Sequence, residues 1–245
     1  MVRTDEMTDK ALVARNISRK YKDLKVLEDF SFEVEESGFE AIMGPSGCGK
    51  STFLNIAAGL LEADSGECFV GGSDILKMSD SEATKFRRRN IGIVFQDFNL
   101  IERRTVLENI LLPVKLDGGK PSLAALQKIV YLLGLEEKLT LRAEVLSGGE
   151  KQRVAIARAL VAEPKGILAD EPTGSLDPRS ARQICDLFKR VNEVSKSAIV
   201  LVTHDPMVAA AANKVNFLND GKIVSSHDTR HDASAVSRLY LETYK

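Results

Sequence analysis

The sequence has no apolar run long enough to cross a membrane and almost no net charge. A membrane-spanning helix needs about 20 consecutive apolar residues, and no window of the 245 residues approaches that length. The polar start of the chain lacks the apolar stretch of a signal peptide. A net charge of −1 provides no global field to attract nucleic acid or an anionic membrane. These absences predict a cytosolic protein that reaches a membrane only through a partner.

Cysteine is also scarce. The three cysteines, Cys48, Cys68 and Cys185, are scattered without the spacing of metal ligands, and free thiols fit a reducing compartment. Apolar residues make up 44% of the chain, which is enough for a substantial core in one large domain or two small ones. Composition therefore sets the broad class, and function has to be inferred from motifs.

The most informative segment is a glycine-rich turn between an apolar run and a helix-forming run, at residues 41–43 and 53–58. Glycine has no Cβ, so successive backbone N–H groups can point into one concavity, and the following helix adds the positive end of its dipole. A chance turn is a poor explanation for a complete G-x-x-x-x-G-K-S pattern in this context. We predict a phosphate-binding loop formed by Gly44, Pro45, Ser46, Gly47, Cys48, Gly49, Lys50, Ser51 and Thr52.

Three side chains of this loop invite a closer interpretation. Lys50 can reach the outer phosphates of a nucleotide, and the Ser51 hydroxyl can ligate Mg²⁺. We interpret Cys48 as a small residue that fits the loop. A helix N-terminus can lower the pKa of a thiol, so modification of Cys48 could still block nucleotide binding.

Ionisable side chains follow two apolar runs that are typical of central parallel strands. Asp170 and Glu171 follow residues 167–169, and His204 comes just after residues 198–202. A carboxylate at the carboxyl edge of a strand can hold Mg²⁺ beside a triphosphate, and the adjacent glutamate can polarise the attacking water. The alternatives are a surface acidic pair and a structural histidine. Because all three residues share a strand-end position, we favour the chemical interpretation.

A second candidate anion-binding surface precedes a helix predicted over residues 151–162. Ser147 suits the N-cap, and Gly148 and Gly149 would expose backbone N–H groups at the helix start. The alternative is an ordinary capped loop. One chain rarely needs two unrelated phosphate-binding sites. We therefore favour a role in which this surface contacts the nucleotide of a second copy across a dimer interface.

With these motifs in order, the chain resembles the ATP-binding subunit of an ABC transporter from about residue 12 to residue 224. Residues 44–52 look like the Walker A loop, residues 146–150 like the LSGGQ signature, and residues 167–171 like Walker B with the catalytic glutamate. Glu150 stands where the signature usually has glutamine, which leaves the backbone donors unaffected. The proline often found just before the signature is missing, so the resemblance does not predict the details of the preceding loop.

The resemblance implies roles for further residues and the ligands ATP and Mg²⁺. Gln96 corresponds to the glutamine that contacts Mg²⁺ and links to the membrane subunit, and His204 to the switch histidine. Tyr21 sits where the family stacks an aromatic ring on adenine, and Asp177 lies in a segment similar to the D-loop. The implied catalytic residues are Glu171, His204, Gln96 and Lys50, and the implied metal ligands are Ser51, Gln96 and Asp170.

Three kinds of ABC protein compete: a transporter motor or membrane-tethered machine, a soluble ATPase acting on nucleic acid or ribosomes, and a non-hydrolysing regulatory module. The presence of Glu171 and His204 argues against the third. The basic run at residues 87–89 is short and lacks interleaved aromatics, which favours a solvated face over a nucleic-acid site. Residues 91–100 and 105–110 resemble the group of MacB, LolD, FtsE and the bacitracin-resistance ATPases, whose members work with membrane subunits that have long periplasmic loops.

We therefore predict an α/β P-loop NTPase fold in a single ABC ATPase domain over residues 1–245. It should have a mostly parallel core sheet, an antiparallel β subdomain and a helical subdomain at about residues 97–157. Two copies should form a homodimer on ATP binding, in which Ser147, Gly148 and Gly149 of one copy close over the ATP of the other. The expected location is the cytoplasmic face of the inner membrane, on an integral membrane permease subunit, without a nucleic-acid partner.

Overall fold

Ten strands form two sheets in residues 9–22 and 24–244, the residues that the computed structural model describes. In chain order they are β1 (Lys10–Tyr21), β2 (Leu24–Glu35), β3 (Phe39–Met43), β4 (Ser65–Val70), β5 (Ser73–Asp74), β6 (Ile91–Val94), β7 (Gly166–Asp170), β8 (Ala198–Thr203), β9 (Lys214–Asn219) and β10 (Lys222–Asp228). One sheet is antiparallel, with the order β2-β1-β4-β5. The other has the order β10-β9-β3-β8-β7-β6; β10 is antiparallel to β9 and the other pairs are parallel. The predicted α/β fold is confirmed.

Nine α-helices lie in the same described ranges. They are α1 (Lys50–Ala57), α2 (Asp80–Asn90), α3 (Val106–Ile110), α4 (Leu112–Leu116), α5 (Leu123–Leu133), α6 (Gly148–Leu160), α7 (Pro178–Ser195), α8 (Pro206–Ala209) and α9 (Ala233–Thr243). Short 3-10 turns occupy Ile75–Lys77, Glu136–Lys138 and Ala143–Val145. Helices α3 to α6 lie between β6 and β7. The first three lie within the helical insertion predicted at about residues 97–157, and α6 continues to Leu160; the limits of the insertion stay a prediction. The absence of a signal peptide was predicted for a segment that lies largely outside the described residues.

Local sequence signals explain the elements that carry the site. All six residues of β8 are buried, as expected of a central parallel strand with covered faces. A tight hairpin joins β9 to β10, in which Asp220 and Gly221 both have positive φ, 45° and 76°, as Asp-Gly turns of this kind typically do. None of the described helices is long and apolar enough to cross a membrane.

Helix α1 is packed between the two sheets. Phe53 on α1 is fully buried, and its ring centroid lies 4.5 Å from that of Phe30 on β2. On its other side α1 shares a core cluster with Ile42 and Val202 of the large sheet. Burial of a phenylalanine side chain contributes about 2–3 kcal/mol. The helix that follows the glycine-rich turn is therefore fixed by the core on both sides.

The basic run at residues 87–89 is engaged within the molecule. Arg87 is half-buried, and its Nη1 donates to the carbonyl oxygen of Gly59 at 2.9 Å, just beyond the end of α1. Arg89 Nε donates to Asp117 Oδ2 at 2.8 Å, just beyond the end of α4. The interpretation of this run as a solvated face is wrong for Arg87, because its guanidinium satisfies carbonyl oxygens at a helix C-terminus. The basic run lies on α2, and its contacts link α2 to the ends of α1 and α4.

Candidate active site

The glycine-rich turn joins β3 directly to α1. Gly49, the N-cap of α1, has a φ of 109°, and a Cβ at this position would lie 2.6 Å from the carbonyl oxygen of Val26. Gly47 also has positive φ, 82°. Both positions need glycine, because L side chains rarely adopt this backbone conformation. The turn therefore leads the chain sharply from the sheet into α1 and places the positive end of the helix at the turn.

Lys50 lies folded inside this turn. Its Nζ donates to the carbonyl oxygens of Gly44 and Pro45 at 2.8 and 2.9 Å, and only 7% of the residue is exposed. The Cys48 thiol lies 3.9 Å from the same ammonium. Burial raises the pKa of the Cys48 thiol, so the lowered pKa considered from its position is not found. Lys50 provides the turn with a positive charge held by backbone oxygens.

Two of the predicted magnesium ligands are in contact. The Ser51 hydroxyl donates to Asp170 Oδ1 at 3.0 Å, which joins the start of α1 to the end of β7. Burial raises the pKa of the Asp170 carboxyl above its ordinary value. A desolvated carboxylate beside a hydroxyl is an oxygen donor set that suits Mg²⁺, which takes further ligands from phosphates and water. The described residues contain no cluster of three or more histidine, cysteine, aspartate or glutamate side chains that could hold a metal ion.

Glu171, the residue after β7, is held in a strained conformation. Its φ is 43°, in the left-handed region that costs a non-glycine residue about 1 kcal/mol or more. Its N–H donates to the carbonyl oxygen of Val202 at 3.0 Å. Its carboxylate accepts from Thr203 Oγ1 at 3.0 Å and lies 2.8 Å from His204 Nδ1. The end of β8 thus fixes both the backbone and the carboxylate of Glu171.

Thr203 is a residue of this site that sequence reasoning missed. It is fully buried, and its hydroxyl also accepts from the N–H of Asp205 at 3.1 Å. Its position immediately before His204, at the end of a buried strand, was the available signal. Thr203 and His204 each contact a different oxygen of Glu171, so together they fix the orientation of its carboxylate.

One open cleft of about 330 Å³ brings half of the predicted site residues together. Gln96, just after β6, contributes a side chain that lies against Gly174, where a Cβ would be 2.9 Å from Gln96 Nε2. A larger cavity of about 460 Å³, near Lys128 and Val194, contains none of the predicted catalytic groups. The residues that line the 330 Å³ cleft are Ser46, Gly47, Gly49, Lys50, Ser51, Thr52, Gln96, Glu171 and His204.

Tyr21 is not among the residues that line the cleft. It is the last residue of β1 and is 44% exposed. The guanidinium carbon of Arg19 lies 5.2 Å from its ring centroid, which is a cation–π arrangement. The stacking of adenine on Tyr21 stays a prediction.

The signature residues and Asp177 also lie outside the cleft, at two adjoining helix N-termini. Ser147 is the N-cap of α6, and Asp177 is the N-cap of α7, where it accepts from the N–H groups of Arg179 and Ser180 at 3.0 and 3.1 Å. A Cβ on Gly149 would lie 3.3 Å from Ser180 Oγ. The two motifs therefore form one surface that does not contribute to the cleft of its own chain.

A glycine-rich turn with its lysine, a strand-end carboxylate beside it and a second strand-end acid on a parallel sheet are the features of a P-loop NTPase. The family model described as ABC transporter matches residues 27–174. Because this match covers more than half of the chain, the protein belongs to the ABC transporter family. It is an ABC-type ATPase, the ATP-hydrolysing motor subunit of a transporter.

Individual relatives agree with this assignment. The ABC transporter ATP-binding protein YxdL of Bacillus subtilis is 39% identical over 217 residues, which span 86% of this chain and 84% of the relative. The lipoprotein-releasing system ATP-binding protein LolD of Colwellia psychrerythraea is 39% identical over 213 residues, which span 86% and 83%. The solved dimer of the cassette MJ0796, in a post-hydrolysis state with ADP and Pi, is 37% identical with a TM-score of 0.79, over 89% of this chain and 99% of that chain. The predicted resemblance to the LolD, MacB and bacitracin-resistance group is confirmed.

Proposed function

We propose that two copies of this protein hydrolyse ATP between them and thereby drive a separate integral membrane permease at the cytoplasmic face of the inner membrane. The observation that carries the proposal is the placement of Glu171 in one cleft with the glycine-rich turn, with its carboxylate fixed by Thr203 and His204. This arrangement provides both parts of the reaction, a cradle for phosphates and an oriented base for water.

The turn binds the triphosphate. The backbone N–H groups of the turn after Pro45 and the N-terminal end of α1 surround the phosphates, and Lys50 exchanges the carbonyl oxygens of Gly44 and Pro45 for phosphate oxygens. Ser51, Asp170 and Gln96 are the residues that would hold Mg²⁺. When bound, Mg²⁺ neutralises charge that develops on the transferring phosphoryl group.

Glu171 acts on the attacking water. Its carboxylate accepts a proton as the water oxygen attacks the γ-phosphorus in line, and the bond to the leaving ADP oxygen breaks. His204 and Thr203 prevent the carboxylate from rotating away, at 2.8 and 3.0 Å. The strained backbone of Glu171 supports the same role, because strain of this kind clusters at functional sites.

The signature acts across the dimer. Ser147, Gly148, Gly149 and Asp177 lie outside the cleft of their own chain, as residues that serve a partner's nucleotide would. The dimeric state of the MJ0796 cassette supports this arrangement. Each ATP is then enclosed by the turn of one copy and the N-terminus of α6 of the other, so binding closes the dimer and hydrolysis opens it. Tyr21 contributes a partly exposed ring for the adenine.

Gln96 and residues 98–101 connect the cleft to the permease. Gln96 lines the cleft, and Ile101, a few residues further along the chain, is 42% exposed. An exposed apolar side chain beside a polar cleft suits a docked helix from a membrane subunit. The names of the relatives support lipoprotein release or export as the task, and force transmission across the membrane is the third candidate within the same group.

The decisive experiment separates ATP binding from hydrolysis. Glu171→Gln keeps the size and hydrogen-bonding reach of the side chain but removes the base, so ATP should bind while turnover falls severely. The variant should elute from size exclusion as a dimer with ATP, whereas wild type should be mostly monomeric at steady state. Glu193→Gln, at an exposed position on α7, is the matched control and should behave as wild type. Normal turnover by Glu171→Gln, or a variant that stays monomeric with saturating ATP and the permease present, would disprove the role given to Glu171.

A further inference from the structure

The signature of this chain contains a carboxylate that is fixed in place. Glu150 stands in the first turn of α6, where its Oε2 accepts from the N–H of Ser147 at 2.8 Å and from the Ser147 hydroxyl at 2.9 Å. In return, the N–H of Glu150 donates to Ser147 Oγ at 3.4 Å. This reciprocal capping box orients the Ser147 side chain through the side chain of Glu150.

The other carboxylate oxygen of Glu150 has a cationic partner. Lys138 Nζ lies 2.7 Å from Glu150 Oε1. Lys138 belongs to the 3-10 turn Glu136–Lys138 that follows α5, so the ion pair links a separate element to the signature. The hydrogen bond from Lys138, together with those from Ser147, holds the pKa of the Glu150 carboxyl below its ordinary value. The acid is therefore ionised at neutral pH.

An ionised glutamate at this position opposes the proposed use of α6. The N-terminus of a helix attracts anions through its free N–H groups and its dipole. The negative charge of an ionised carboxylate in the first turn offsets part of that positive potential. It also repels a triphosphate that approaches from the partner, and this repulsion grows as dimer closure excludes water. The ammonium of Lys138 is in direct contact with the Glu150 carboxylate and offsets its negative charge.

We propose that Lys138 is a positioning residue of the shared ATP site: it neutralises Glu150 and so allows an acidic signature to receive the partner's γ-phosphate. The inference rests on the proposed closed dimer. According to this inference, Lys138 is needed only because residue 150 is a glutamate. A glutamine there carries no charge to offset, yet its side-chain oxygen still accepts from the N–H of Ser147.

The test measures ATP-dependent dimerisation by sedimentation in the hydrolysis-deficient Glu171→Gln background. Lys138→Met keeps the length of the side chain but removes its charge, and should weaken dimerisation about tenfold or more, because both sites of the dimer lose the cation that offsets Glu150. Lys138→Arg should dimerise as strongly as the parent protein, which carries Glu171→Gln alone. Adding Glu150→Gln to Lys138→Met should restore the affinity of the parent. Lys128→Met, at an exposed position on α5, controls for the change in net charge.

The outcomes separate the inference from the function on which it rests. A parent that stays monomeric with ATP would contradict the proposed dimer and the inference with it. A parent that dimerises, together with a Lys138→Met variant that dimerises equally well, would overturn the inference alone. If Lys138→Met and the double variant are equally weak while circular dichroism shows both folded, Lys138 acts through structure instead of charge, and the inference is wrong.

Discussion

Asp170 shows how one residue of the site opposes stability. Burial raises the pKa of its carboxyl, so the folded protein holds the proton of this group more tightly than the unfolded chain does. The contribution of Asp170 to stability is therefore most favourable below the unfolded pKa of about 3.9 and falls as pH rises from there through the folded pKa. At neutral pH the ionised carboxylate destabilises the nucleotide-free protein, and a bound cation would reverse that effect.

Asp170→Asn should therefore raise the thermal unfolding midpoint of the nucleotide-free protein by a few degrees. The amide oxygen still accepts from Ser51, whereas the desolvated charge is gone. The same variant should lose the Mg²⁺ dependence of ATP binding, because an amide is a weaker ligand for a hard cation. Differential scanning fluorimetry with a chelator and titrations of ATP with and without Mg²⁺ measure the two effects.

Asp186→Asn, at an exposed position on α7, provides the control and should change neither quantity. A lower unfolding midpoint for Asp170→Asn would show that the carboxylate is stabilised in the folded protein, and unchanged Mg²⁺ dependence would remove Asp170 from the metal site.

At the scale of elements, the segment after β6 is an ordered surface. Phe98 and Asn99 both have positive φ, 59° and 49°. Arg158 on α6 holds their carbonyl oxygens, with Nη2 at 2.7 Å from that of Phe98. Leu100 packs against the core, whereas Ile101 is 42% exposed. Substitution of Leu100 would therefore disturb folding, and Ile101 is the better position at which to test docking.

Ile101→Asp should abolish copurification with the permease and leave ATP binding and the unfolding midpoint unchanged. A charge on the docking surface cannot be buried against an apolar partner helix without a large desolvation penalty. Leu123→Asp on α5, which replaces a leucine that is 75% exposed, is the matched control and should retain the permease. A stable complex between Ile101→Asp and the permease would place the docking site elsewhere.

The elements with strong local patterns were predictable from the sequence. The glycine-rich turn, the strands that end at Asp170 and Thr203, and the helix over residues 122–133 each have their signal within a few residues. Helix α7 was missed although Ile184, Phe188 and Val191 repeat at helical spacing. Helix α7 was therefore predictable, because this periodic signal is present in the sequence.

Contacts between distant segments could not be predicted in the same way. The bond between Thr203 and Glu171 joins positions 32 residues apart, and the ion pair of Lys138 with Glu150 depends on how a turn packs against α6. Their partners are set by tertiary packing, about which one sequence by itself provides no direct signal. For the same reason Arg87 was interpreted as solvated before its contact with the end of α1 was visible.

At the scale of the whole molecule, charge is balanced and the conspicuous basic run is engaged internally. The net charge is −1, Arg87 is bonded to the end of α1 and Arg89 is paired with Asp117. A protein that acts on nucleic acid needs several free cations along one face, because phosphate contacts supply most of the affinity.

We therefore expect DNA and RNA to leave the ATPase rate unchanged. The measurement compares turnover with and without single- and double-stranded polymers at low and high salt. A several-fold stimulation that disappears at high salt would move the protein to the class of nucleic-acid machines, since such binding weakens steeply as counterions are added.

The strand order has a consequence for synthesis on the ribosome. The phosphate-binding turn leaves β3, yet the neighbours of β3 in the sheet are β8 and β9, which are translated more than a hundred residues later. The hydroxyl of Tyr244, which donates to the carbonyl oxygen of Met43 at the base of the turn, emerges 201 residues after its acceptor. A nascent chain therefore displays the turn long before the scaffold beneath it exists. Nucleotide therefore cannot guide the early stages of folding. The apolar strand β3 stays exposed until β8 and β9 have been synthesised, and the chain is most vulnerable to aggregation during that interval.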